Sequence, residues 1–303
     1  MGALQAQDFF MVKWAIGVRL PGTSEKKIED LIDKGVLLRT HLLRPTWHLV
    51  SAEDIYWLLD LTAPQVKASQ KSRHKQLELT DKVITKSHTT IEKALKNSPQ
   101  LTRDELVEAM EKAHIVTNDN RAAHLLFMAE LDGILCSGAG HGKNSTYALL
   151  SNRVHKPAPL PREEALAKLS LLYFTSRGPA TVQDFENWSG LSISDAKKGL
   201  DMVKGHLLSE KMAEKVVWWK DVGKVSMEET KKVILLPAFD EFVISYKDRT
   251  DILTSEQHKV AVSNNGIFWP TIVQGGRILG IWKRSLKKDD VVITPQFFEK
   301  PNQ

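Results

Sequence analysis

Two glutamines, Gln5 and Gln7, stand two apart just ahead of Asp8. Residues at this spacing point to one side only in an extended segment, since on a helix they diverge by about 200°. An amide both donates and accepts but does not titrate, so two of them on one side can hold a water without deprotonating it. Taken alone, the pair reads first as a solvated or frayed N-terminus, since termini are usually disordered. Other candidate motifs fail. In Ser137-GAGHGK-Asn144, Ser137 stands where a phosphate loop needs its first Gly and Asn144 where it needs a hydroxyl. The stretch reads as a turn tip from which Lys143 and His141 reach a phosphate without reading sequence. The histidines form no i, i+4 pair around a helical Glu, and no Gly-x-Ser-x-Gly elbow occurs. Cys136, the only cysteine, lies in an apolar run and reads as a core thiol. Neither metal nor cofactor is expected.

The elements that position these residues follow from caps and periodicity. Asp8 opens an apolar helix that Pro21-Gly22 stops. Ser24 opens another, with Ile28, Leu31 and Ile32 in one stripe, and Gly35 ends it. Alternation on either side of Arg44-Pro45 predicts two strands and a turn. Helices followed by a hairpin are the order of a winged helix. The order recurs through Thr102-x-x-Glu105, the helix near 120–133 and the strands flanking the Gly-rich turn. It recurs again from Pro161 through helices opened by Thr181 and Ser192 to VVWWKDV. The fold class expected is α+β: three tandem winged-helix units and a small C-terminal β-rich lobe. The units fall at 1–62, 91–155 and 156–225, with a polar, basic linker helix at 63–90 and the lobe at 226–303. The apolar β-branched runs of the lobe, VILLPAFDEFVIS among them, place Asp240 in a strand.

Bulk properties narrow the setting. The 303 residues carry 42 Lys+Arg against 37 Asp+Glu, a net +5 and a pI near 9.1, a balance that suits a polyanion without requiring one. No apolar run approaches membrane-spanning length, no secretory signal opens the sequence, and one cysteine allows no intramolecular disulfide. A cytoplasmic, nucleoid-associated protein is expected.

Several segments together carry a resemblance. These are Gln5-Ala6-Gln7 before an amphipathic helix, the run from Arg44-Pro45-Thr46-Trp47-His48 to Asp54, Leu235 to Phe242 around Asp240-Glu241, Tyr246-Lys247-Asp248-Arg249, and Gly280-Ile281-Trp282-Lys283-Arg284. Along essentially the whole sequence they resemble the AlkZ/YcaQ-type winged-helix DNA glycosylases. That resemblance implies three winged helices forming a concave basic surface on double-stranded DNA. It also implies hydrolysis of the N-glycosidic bond of alkylated purines, including crosslink unhooking, with Gln5 and Gln7 as the catalytic pair. Family members usually carry a further helix ahead of this motif, so the first unit is expected to be short at its N-terminus.

The chemistry fits two amides. A purine alkylated at N7 or N3 is cationic and leaves as a neutral base, so a fixed water can capture the oxocarbenium-like sugar without a general acid. Candidate DNA contacts are Arg39, Arg44, Thr46, Trp47, His48, Lys143, Arg249 and Arg284. Trp47 reads more readily as core than as a base-stacking wedge, Arg39 and Arg44 equally as solvated surface, and Arg249 and Arg284 by default as charge on an exposed face. Asp240 either supports the site or caps a turn. The alternative readings are a non-catalytic winged-helix DNA-binding protein or regulator, and a protein-interaction scaffold.

Overall fold

Short polar side chains start most of the described helices, and a glycine or proline stops several of them. The computed structural model describes residues 1–140, 145–221, 223, 228, 231–288 and 290–299. Strand β1 (Ala3–Gln5) leads into helix α1 (Phe9–Arg19), where Asp8 accepts from the N–H groups of Phe10 and Met11. Ser24 caps α2 (Glu25–Asp33) by accepting from Lys27 N–H. Gly35, at a φ of 74°, turns the chain into β2 (Leu37–Leu42) and β3 (Thr46–Ser51). The sheet runs β1-β3-β2, all antiparallel, and its register sets Gln5 opposite His48 and His48 opposite Thr40.

Because strand side chains alternate, this register fixes the two faces of the sheet. Ala3, Leu38, Leu42 and Val50 enter the largest core, together with α3 (Ile55–Gln76). Leu4, Leu37, Trp47 and Leu49 pack on the other face with Val12, Ile16, Ile28 and Ile32 of α1 and α2. The basic polar segment after residue 66 continues α3, so residues 62 and 63 lie within one helix.

Next come α4 (Asp81–Asn97), β4 (Leu101–Thr102), α5 (Arg103–Lys112), α6 (Arg121–Leu131), β5 (Leu135–Ser137) and β6 (Thr146–Leu149). Thr102 and Glu105 form the reciprocal capping box their spacing predicts. This part buries its own core around Ile91, Leu106, Met110 and Leu125. Lys143 and His141 lie outside the described residues. After α7 (Leu150–Arg153) come α8 (Arg162–Arg177), α9 (Val182–Ser189), α10 (Ile193–Val203) and the hairpin β7 (Leu208–Met212) and β8 (Lys215–Trp219). Tyr173, Phe174, Phe185 and Trp188 of α8 and α9 share the core of the first hairpin.

The last part is an antiparallel sheet in the order β12 (Val291–Phe297), β11 (Arg277–Leu286), β10 (Thr271–Gln274), β9 (Ile234–Leu236). One expectation is corrected here: Asp240 is not in a strand. Pro237 has no N–H to donate to the ladder, β9 stops at Leu236, and Asp240 caps the one-turn helix Glu241–Ile244 through Phe242 N–H. Helix α1 docks on this lobe, with Trp14 Nε1–H donating to Leu235 O and its ring 5.3 Å from that of Trp282.

Gly190 ties α9 to the first hairpin. It ends α9 at a φ of 68°, and a Cβ there would lie 2.3 Å from the carbonyl oxygen of Leu43. Replacing it with Ala combines left-handed strain with overpacking, a cost of about 2–3 kcal/mol. Gly190→Ala is expected to lower the midpoint of chemical denaturation accordingly, and an unchanged midpoint would contradict this packing.

Candidate active site

A three-residue strand has little hold of its own, yet β1 carries Gln5. One edge of β1 pairs with β3, and Ala6 N–H still donates to Trp47 O at 2.7 Å beyond the strand's end. At the other edge a buried ion pair takes the place of a neighbouring strand. Arg177, at the end of α8, donates from Nη1 to Met1 O and from Nη2 to Ala3 O, both at 2.8 Å. Glu241 Oε1 accepts from Gln5 N–H at 2.8 Å. Its Oε2 accepts from Arg177 Nη2 at 2.7 Å and Nε at 3.0 Å, from Trp188 Nε1 at 2.9 Å and from Ser245 Oγ at 2.8 Å. Arg177 and Glu241 are each only 3% exposed. Burial pushes the Glu241 carboxyl up, but the charge of Arg177, the Gln5 amide and the charge of Arg44 outweigh it and hold its pKa at about 2.

The side chains of the pair are also held. Gln5 is half-buried, and its Oε1 accepts from Arg44 Nη2 at 2.9 Å. Gln7 is exposed, and its Oε1 accepts from Trp47 N–H at 3.4 Å. Each carbonyl oxygen keeps a second lone pair, and each amide keeps its NH₂ donors. Beside Gln5 lies a polar row on the same face of the sheet. Thr40 Oγ1, Thr46 Oγ1, His48 Nε2 and Arg44 Nε are buried there, with no hydrogen-bond partner among the described residues. His48 Nδ1 is 3.0 Å from Thr46 O, so Nδ1 carries the proton and Nε2 the lone pair. Burial and then the charge of Arg44 depress His48 to about 3, which leaves the ring neutral at physiological pH.

The expected DNA contacts lie in different surroundings. His48 is 0% exposed and Thr46 Oγ1 is buried. Arg39 and Arg44 are half-buried and bond inward, Arg39 Nε to Ala6 O at 2.9 Å and Arg44 to Gln5. The Arg39 guanidinium lies 4.1 Å from the centre of the half-buried Trp47 ring. Arg249 donates from Nε to Val243 O at 2.7 Å and lines a 600 Å³ cleft between the hairpin of β7 and β8 and the C-terminal part. Arg284 is half-buried on β11, in the last sheet, while the Gln pair is at β1. Asp240 is buried and takes a bidentate pair from Arg19, at 2.7 and 2.8 Å, that clamps α1 to the lobe.

Sequence reading overlooked Arg177 and Glu241. An acid following Asp240 inside an apolar run was the available signal, since an unpaired charge is not tolerated in such a run. Breaking one side of a buried pair costs about 3–5 kcal/mol. Glu241→Gln is therefore expected to lower unfolding free energy by about that amount and to speed hydrogen exchange at the Gln5 amide. The sign with pH follows from the depressed pKa. The contribution of Glu241 is fully present above its ordinary value of 4.5 and is lost as pH falls toward about 2. Equal acid sensitivity in wild type and Glu241→Gln would contradict this assignment.

A family profile described as DNA glycosylase AlkZ-like matches residues 1–301. The chain is 23% identical over 333 aligned residues to a Streptomyces sahachiroi protein named interstrand DNA cross-link repair glycosylase, covering 96% of this chain and 82% of that one. Among solved structures, Streptomyces sahachiroi DNA glycosylase AlkZ superposes with a TM-score of 0.80 at 19% identity, over 99% of this chain and 84% of that one. At that identity the likeness is one of fold, the same mixed arrangement of helices and sheets. Matched from end to end by its profile, the chain belongs to the AlkZ-like DNA glycosylase family.

Proposed function

We propose that this protein hydrolyses the N-glycosidic bond of cationic N7- and N3-alkylated purines in duplex DNA, with Gln5 and Gln7 positioning the water. The observation that carries the reading is the double anchoring of the pair. Arg44 and Trp47 N–H fix the carbonyl ends, and Glu241 fixes the Gln5 backbone. Held amides give a water acceptors and donors in set directions, and such preorganisation is what capture of an oxocarbenium-like sugar needs. Among the described residues, the titratable groups beside Gln5 supply no strong base, since His48 is neutral with a pKa near 3 and Glu241 is saturated by its donors. The substrate must then bring its own leaving-group activation, which a cationic purine does.

The helix-then-hairpin units at 1–62, 91–155 and 156–225 act in this reading as three winged helices that grip the duplex largely through phosphates. Unhooking of interstrand crosslinks belongs to the same proposal and is supported by the likeness to the Streptomyces cross-link repair glycosylase. The test is base release from a duplex carrying N7-methylguanine. Gln5→Ala and Gln7→Ala are each expected to slow release by about 10²-fold or more, the scale of losing one preorganised polar group, with duplex binding kept. Release unaffected by both substitutions would remove the Gln pair from the mechanism. Binding with no release by the wild type would favour a non-catalytic DNA-binding protein.

A further inference from the structure

A second polar centre lies on the opposite face of the first sheet from Gln5. Glu130 of α6 is 0% exposed, and its Oε2 bonds to His41 Nδ1 of β2. Its Oε1 is buried, without a hydrogen-bond partner among the described residues. Burial raises the pKa of this carboxyl, against the charges of His41 and Arg39. An orphaned carboxylate oxygen inside a protein costs about 1–3 kcal/mol or more, so it calls for an explanation.

The explanation is next to it. Glu130 lines a 430 Å³ cavity between the first sheet, α5, α6 and β6. Its walls are aromatic: Trp47, Phe127, Tyr147 and the His41 ring, which lies 4.1 Å from that of Trp47 and edge-on to Phe127 at 4.7 Å. At the rim, Arg103 and Gln70 present donors. The cavity starts at Trp47, the residue whose N–H holds Gln7.

We propose that this cavity binds a guanine-type base, with its N–H edge donating to Glu130 Oε1 and its ring against the aromatic walls. Aromatic walls select a flat ring, and a lone buried acceptor selects one with an N–H donor beside it. Guanine offers N–H donors on its pairing edge and O6 as an acceptor beside them; O6 is kept when N7 carries a methyl group, and it suits Arg103 or Gln70 at the rim. Bases read by enzymes outside the stack meet this combination of stacking and hydrogen bonding. Two sources supply the same chemistry: a base turned out of the duplex, and a free base.

Calorimetric titration with free 7-methylguanine tests the site without requiring any catalysis, so the inference stands or falls apart from the proposed reaction. Wild type is expected to bind 7-methylguanine at least tenfold more tightly than caffeine, a flat purine of similar size with no N–H. Glu130→Gln is expected to lose tenfold or more by giving up the charged acceptor. Ala123→Trp provides a second variant that leaves the core alone, because Ala123 is exposed at the mouth. It is expected to abolish binding while the circular dichroism spectrum and Tm stay unchanged. The second arm deepens the DNA reading. A duplex carrying 2-aminopurine next to a 7-methylguanine should brighten on binding to wild type and not to Ala123→Trp if the base comes from the helix, because turning out the methylated base unstacks its neighbour. Binding of 7-methylguanine without that brightening assigns the site to the free base. No binding by the wild type, equal binding of caffeine, or binding indifferent to both substitutions would overturn the inference and leave His41–Glu130 a structural pair.

Discussion

The buried contact between Arg177 and Glu241 is the constraint on which the rest of this site depends. A strand as short as β1 (Ala3–Gln5) leaves backbone groups at its outer edge that water or a neighbour must satisfy. Here the guanidinium takes the carbonyls of Met1 and Ala3, and the carboxylate takes the amide of Gln5. Desolvating two charges is expensive, and an apolar pair of the same shape is often as stable. An apolar pair cannot fix the backbone of β1, however. What the charges supply is position: one carboxylate ties the first sheet, α8, α9 and the C-terminal part to a single point. Arg19 and Asp240 repeat the device one residue away, locking α1 to the same short helix.

That arrangement limits the chemistry as much as it enables it. The carboxylate nearest Gln5 is fully engaged as an acceptor and ionised down to about pH 2. The nearest imidazole is neutral and points its lone pair into a buried polar row. Amides remain the groups free to meet a water from the strand. On the proposed reading such a site is selective through weakness, since it would act only where the leaving group is already activated.

The local parts of this structure were legible in the sequence. Asp8, Ser24, Thr102, Thr181 and Ser192 all accept from N–H groups within three residues, so each helix start is written in its own neighbourhood. The turn at Arg44-Pro45 and the strands on either side follow from alternation alone. Contacts distant in sequence were not legible. Gln5 and Glu241 are 236 residues apart, Arg177 and Glu241 are 64, and His41 and Glu130 are 89. No periodicity links such pairs. His48 shows an intermediate case. It is in phase with Val50 on the core face, but Trp47 and Leu49 are covered on the other face too, so alternation could not say which residue meets solvent.

In the proposed mechanism two amides held by a buried ion pair position the attacking water, with no titrating base. The pH profile of base release from an N7-methylguanine duplex measures this directly. With Glu241 near 2 and His48 near 3, neither changes charge between pH 5 and 8.5, so the single-turnover rate should be flat across that range. A rate that rises tenfold per pH unit through an inflection near 6 or 7 would reveal an ionising base and contradict the claim.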